Sequence, residues 1–138
     1  MGIFNKKKKA NPLVQIGAMK SKFSQFQHKQ KDGNIIFTGN LFIKSELPIY
    51  NVSIEYRGNL RPVVKVNSPA LVEDSPHLHS DNSLCLYHPN NFKWSSDKLI
   101  AKEIMQWTIA WIYFYEYWLQ TGEWIGPEAS HNTEKKDE

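Results

Sequence analysis

Ile49-Tyr50-Asn51-Val52-Ser53-Ile54-Glu55-Tyr56-Arg57 is the stretch on which the reading of the fold turns. Tyr50, Val52, Ile54 and Tyr56 alternate with Asn51, Ser53 and Glu55, and successive side chains of a strand point to opposite faces. The pattern predicts a strand buried on one face and wetted on the other, as in an antiparallel sheet packed on a core. Two weaker runs flank it. Ile35 to Ile43 predicts the preceding strand, with Gly39-Asn40 marking a bulge or bend. Pro62 to Asn67 predicts the following one, with Val64 and Val66 on one face. The linkers are short and rich in Gly, Asn and Pro, which suits a meander. Lys31-Asp32-Gly33-Asn34 is a turn signal, because Asp-Gly readily supplies a positive φ.

Outside the strands the period changes. Leu13, Ile16, Met19, Phe23 and Phe26 recur at steps of three and four, which predicts an amphipathic helix over Leu13 to Gln27. Gly17 is the residue that fits it least. Ile100, Ile104, Trp107, Trp111, Phe114 and Trp118 predict a second helix over Asp97 to Gln120, with Ser96 as N-cap and Gly122 as its stop. The order helix, strands, long loop, helix is that of an α+β domain with segregated helices. A chain of 138 residues holds one such domain. Residues 1–12 are expected to be a disordered basic tail, 13–128 the folded domain and 129–138 a flexible tail.

Charge and composition narrow the function. The formal net charge is +3, yet Lys6 to Lys9 alone contribute four positive charges. No basic face for a nucleic acid is expected, and the Lys run reads as a solvated tail. Ile104 to Tyr115, the most apolar stretch, is shorter than the roughly 20 residues that a membrane span needs. With one cysteine and no leader-like start, the chain is expected in a reducing cytoplasm.

Chemistry is expected in the segment Ser68 to Ser96, where no period survives; so long an irregular stretch in a compact domain is often functional. Its centre is Pro76-His77-Leu78-His79-Ser80-Asp81-Asn82-Ser83-Leu84-Cys85-Leu86-Tyr87-His88-Pro89. Cys85, set between two leucines, fits a small buried hydrophobe. It also fits a nucleophile, because three His lie within eight residues of it and Asp81, Asn82 and Ser83 offer polar groups beside a reacting carbonyl. Two chemistries use such a set. His77, His79, Cys85 and His88 are competent zinc ligands, although the usual paired Cys-x-x-Cys spacing is missing. Alternatively, the thiolate attacks an activated carbonyl while a nearby donor steadies the oxyanion.

The ordered set Tyr50-x-Val52-x-Ile54-x-Tyr56, Pro62-Val63-Val64, Ser75-Pro76-His77, Leu84-Cys85-Leu86 and Trp94 resembles the ubiquitin-conjugating enzymes over residues 13 to 120. Those enzymes carry a strand meander, a His-Pro-Asn motif, and an acceptor cysteine ten residues after its His, the spacing of Ser75 to Cys85 here. The resemblance implies an antiparallel strand meander with flanking helices and a long catalytic loop, and Cys85 as the thioester-forming nucleophile. Ser75-Pro76-His77 departs from the motif, so His77 stands where the family's Asn amide is thought to steady the oxyanion or hold the loop. His77 is open to three roles: oxyanion donor, base for an incoming nucleophile, or loop packing. His79 and Asp81 are the further candidate helpers.

A narrower resemblance rests on Leu84-Cys85-Leu86-Tyr87-x-Pro89, Trp94, Trp107, Tyr115-Glu116-x-Trp118 and Thr121-Gly122-Glu123-Trp124. These runs are similar to bacterial conjugating-enzyme relatives encoded beside cyclic-nucleotide synthases in CBASS anti-phage operons. It implies the short, stand-alone type, an acyl carrier working without a cofactor or metal. Its partners would be the C-terminus of a cGAS-like nucleotidyltransferase and an acceptor protein. A catalytically silent scaffold of the same fold that binds the nucleotidyltransferase is the alternative. Trp107, Trp111 and Trp118 are expected in the core. Trp124 lies outside the helix stripe, open either to covering the catalytic loop or to meeting a partner.

Overall fold

The computed structural model describes residues 11–127. The Lys6 to Lys9 run and the tail at 129–138 lie outside them. The chain forms α1 (Pro12–Lys22), β1 (Gln27–Lys31), β2 (Asn34–Leu41), β3 (Tyr50–Arg57), β4 (Leu60–Ser68), a π-helical turn (Ile100–Ile104) and α2 (Met105–Thr121). Asn11 caps α1 by accepting the Val14 N–H at 3.4 Å, and Pro12 opens the helix, where its missing N–H is no loss.

The strands lie in the order β1-β2-β3-β4, each antiparallel to the next, so the domain is α+β. In β3 the alternation holds: Tyr50, Val52, Ile54 and Tyr56 are buried, while Asn51, Ser53 and Glu55 are partly exposed. That buried face joins Ile35 and Phe37 of β2, Val64 of β4 and Ile104, Met105 and Ile112 of the long helical element in one core. The Tyr50 hydroxyl donates to the Glu116 carboxylate and so ties β3 to α2. Burial, then that carboxylate, holds the phenol far above its ordinary pKa, so Tyr50 remains the donor.

Four expectations are corrected. The first helix ends at Lys22 rather than Gln27, and Gln27–Lys31 pairs with β2 as an edge strand whose residues are all exposed. Gly39-Asn40 is no bulge, because β2 and β3 pair without a break from Ile35↔Tyr56 to Leu41↔Tyr50. Gly39 is instead a site of close approach: a Cβ there would lie 2.6 Å from Cγ of Phe26. The irregularities fall between β3 and β4. Finally, the second helix begins at Ile100, and Ser96 does not cap it. Ser96 is a buried tie point instead, taking the Tyr56 hydroxyl on its carbonyl at 3.0 Å and donating its N–H to Asn59 at 2.8 Å.

In place of a side-chain cap, the π-turn is held by α1. Gln15 is 1% exposed. Its Nε2 donates to the Lys98 carbonyl at 2.7 Å and its Oε1 accepts the Ile100 N–H at 2.9 Å. The Ile100 N–H is one of the donors that a helix start leaves unpaired, and the Lys98 carbonyl lies just ahead of it. Replacing Gln15 by Leu keeps the volume but strands both, at about 1–3 kcal/mol each before relaxation. Chemical denaturation of Gln15→Leu is expected to show a clear loss of stability. At the far end Gly122 adopts φ +82 and closes α2 with its N–H on the Trp118 carbonyl, as the sequence predicts.

Candidate active site

The segment predicted to lack any period is locally ordered around Cys85. The Cys85 N–H donates to the His77 carbonyl at 2.9 Å, and the His79 N–H to the Ser83 carbonyl at 2.8 Å. Leu78 and Leu84 face each other between these bonds, so residues 77–85 form a miniature hairpin. Its tip is closed by Asn82 N–H on the His79 carbonyl at 2.9 Å. Asn82 sits at φ +70, a conformation that Asn tolerates. Asp81 supplies the rest of the turn, because its carboxylate takes both the N–H and the hydroxyl of Ser83, at 2.9 and 2.6 Å. Those two bonds hold its pKa below the usual carboxylate value.

Two distant elements hold this hairpin in place. The Leu84 N–H donates to the Val64 carbonyl at 2.8 Å, and Leu84 is 2% exposed, so the loop is pinned to the free edge of β4. From the other side, the Trp111 indole N–H of α2 donates to the His77 carbonyl at 3.2 Å. That carbonyl therefore receives two donors, one from Cys85 and one from α2. His77 itself lies at φ +58, outside the regions ordinary residues prefer.

Cys85 and His77 are thus opposite one another, joined through the backbone. The His77 side chain is buried, and its ring lies on the Trp124 ring, with centroids 4.5 Å apart. Cys85 is partly exposed, with Sγ 3.9 Å from the Tyr87 carbonyl, a weak contact. A small cleft beside the thiol is walled by Trp107, Trp111, Phe114, Trp124 and Pro127. His79 lines a different depression, with Arg61, Pro62 and Tyr87, and the Asp81 carboxylate is exposed at the hairpin tip. Among the described residues no group of three or more His, Cys, Asp or Glu is gathered to share a metal ion.

Residues 15–132 match the family of Type II CBASS E2 proteins. The chain belongs to that family. The match covers the sheet, the Cys85 loop and α2, and places the protein in CBASS defence. No curated protein matches the chain. No helix among the described residues of this E2 protein is long and apolar enough to cross a membrane.

Two neighbours of Cys85 in this CBASS E2 protein carry polar atoms that sequence alone does not single out. The Tyr87 hydroxyl and the Trp124 indole nitrogen are buried, and neither has a hydrogen-bond partner among the described residues. Burial raises the Tyr87 pKa, with the Cys85 thiolate adding to the shift and Arg61 opposing it. Tyr87 also packs with Phe92 and Trp107, at centroid distances of 4.7 and 5.6 Å, which fixes one wall beside the thiol.

Proposed function

We propose that this CBASS E2 protein is an acyl carrier of the ubiquitin-conjugating type, in fold as in chemistry, with Cys85 as its nucleophile. The observation that supports it best is the placement of Cys85, a partly exposed thiol at the base of a pinned hairpin. The family match adds to it. In the first step the Cys85 thiolate attacks the activated C-terminal carbonyl of a donor protein. A carbon–sulfur bond forms, the bond to the activating group breaks, and that group leaves with its electron pair. An amine of the acceptor then attacks the thioester. The new carbon–nitrogen bond forms, the carbon–sulfur bond breaks, the thiolate is released, and the amine's surplus proton passes to a base. Splitting one hard transfer into two easier ones is what covalent catalysis provides. The donor is proposed to be the C-terminus of a cGAS-like nucleotidyltransferase and the acceptor a second protein.

His77 is the proposed helper, as oxyanion donor or base, while Asp81 shapes the hairpin tip through Ser83. The carrier reading is tested by incubating the protein with a thioester of a short glycine-terminated peptide and a small leaving thiol. A mass increase of one peptide that dithiothreitol reverses is expected. A protein that never gains the peptide overturns the reading and leaves the scaffold alternative.

Single-turnover discharge of the loaded protein to a small amine separates the roles of His77. His77→Ala is expected to slow discharge by about tenfold or more, the scale of a lost oxyanion donor or base. Alanine at φ +58 also adds strain of about 1 kcal/mol, so His77→Asn is the companion variant. Asn accepts this backbone and carries a donor amide, and is expected to discharge faster than His77→Ala. An unchanged rate in His77→Ala would reduce His77 to packing.

A further inference from the structure

α2 ends at Thr121, the chain turns at Gly122 and comes back along the helix, and Trp124 and Pro127 line the cleft beside Cys85. Two contacts hold this strap. Trp124 packs on Trp111 and Phe114, with ring centroids 5.6 and 5.9 Å away, and on His77. Gly126 lies so close to the Phe114 ring that a Cβ would come within 2.4 Å of Cδ2. No side chain fits there unless the strap or the ring moves. Gly122, at φ +82, makes the reversal.

The strap is well packed in its rings and incomplete in its hydrogen bonds. The Trp124 indole N–H is buried without a partner among the described residues, although buried donors are nearly always paired. Trp111, the other indole of this cluster, shows the contrast, since its N–H is used on His77. Trp124 and Cys85 share one cleft, and the volume left in it is only about 20 Å³, room for about one water. An acyl chain bonded to Cys85 cannot occupy that volume with the strap down. A chain that enters this cleft, rather than leaving by the exposed side of the thiol, must displace the strap, and the strap carries an indole donor bordering the same cleft as the thiol.

We propose that residues 122–127 form a lid over Cys85, and that the Trp124 indole N–H is the donor that binds a backbone carbonyl of the acyl chain once the chain enters. The role rests on the acyl-carrier reading. Among the described residues the donor has no partner in the empty site, and an entering carbonyl gives it one, so it favours the loaded state over the free one. The ring of Trp124 meanwhile holds His77 while the lid is down.

Two reagents on the whole protein test this: the glycine-terminated peptide thioester, and iodoacetamide, which alkylates Cys85 without needing a peptide-binding donor. Trp124→Phe keeps an aromatic ring and removes the N–H. It is expected to load peptide about tenfold more slowly, one net hydrogen bond in rate terms, with alkylation unchanged. Gly126→Val keeps the indole but cannot keep the strap on Phe114; it is expected to alkylate faster than wild type. Peptide loading at the wild-type rate in Trp124→Phe would overturn the donor role, and unaltered alkylation in Gly126→Val would overturn the lid. A wild-type protein that alkylates but never loads would overturn the carrier reading itself, and this role with it.

Discussion

Cys85→Ala is expected to lose the thiol-reversible adduct completely while melting close to the wild-type temperature. The adduct needs a sulfur and there is no second one to substitute, since Cys85 is the only cysteine in the chain. Stability should hardly change, because the side chain is partly exposed and its contact with the Tyr87 carbonyl, at 3.9 Å, is weak. The strong bond at this position, from the Cys85 N–H to the His77 carbonyl, belongs to the backbone and survives substitution. Removing a few atoms at such a site costs about 1 kcal/mol or less. Cys85→Ser sharpens the comparison. A hydroxyl is the poorer nucleophile, and whatever forms on it is an oxygen ester that dithiothreitol does not release. Intact-mass measurement before and after the reductant distinguishes all three proteins. An adduct of undiminished yield on Cys85→Ala would move the chemistry to another residue.

How much of this was legible beforehand depended on whether the sequence signal was local. The strand β3 could be read directly, because its period of two arises from the same pleat that buries Tyr50, Val52, Ile54 and Tyr56. Its neighbour β1, Gln27–Lys31, has no apolar residue at all; an edge strand exposed along its whole length leaves no hydrophobic pattern to read. The second helix starts at Ile100 rather than at Asp97 for a related reason. The π-turn from Ile100 to Ile104 shifts the face that follows, so that Thr108, Ile112 and Tyr115 are buried while Trp107 and Phe114 are only partly so. Nor can any local pattern show Gln15 reaching Lys98 and Ile100. At the site, Cys85 and His77 stand out by their place in the irregular segment and by the resemblance they carry. What joins them is long-range: Val64 on one side of the hairpin and Trp111 on the other. Trp124 could be seen to fall outside the helix stripe, but its contact with His77 depends on the turn at Gly122 bringing the chain back.

Trp111 is where fold and site are hardest to separate, and its removal is expected to have the largest effect on stability. It is 2% exposed, stacked on Tyr115 with centroids 5.3 Å apart and planes 14° apart, and it meets Trp124 at 5.6 Å. Trp111→Ala is expected to lose about 3–5 kcal/mol, the usual result of emptying a large aromatic site in a core. Against a typical total of about 5–15 kcal/mol, that is a large shift in the urea midpoint. Trp111→Phe divides the loss into its parts. It keeps most of the ring contact but removes the indole N–H, so the His77 carbonyl retains the Cys85 N–H and loses its second donor. One such bond is worth about 0.5–1.5 kcal/mol net, plus a smaller packing loss. The domain therefore remains folded in Trp111→Phe, and the consequence falls on the hairpin. With α2 no longer holding its carbonyl, His77 at φ +58 is freer to relax, and discharge from Cys85 should slow more than the stability loss alone accounts for. Comparing the urea midpoint with the discharge rate across wild type, Trp111→Phe and Trp111→Ala tests the coupling. A Trp111→Phe protein with weakened stability and wild-type discharge would show that α2 supports the loop without setting the geometry of His77.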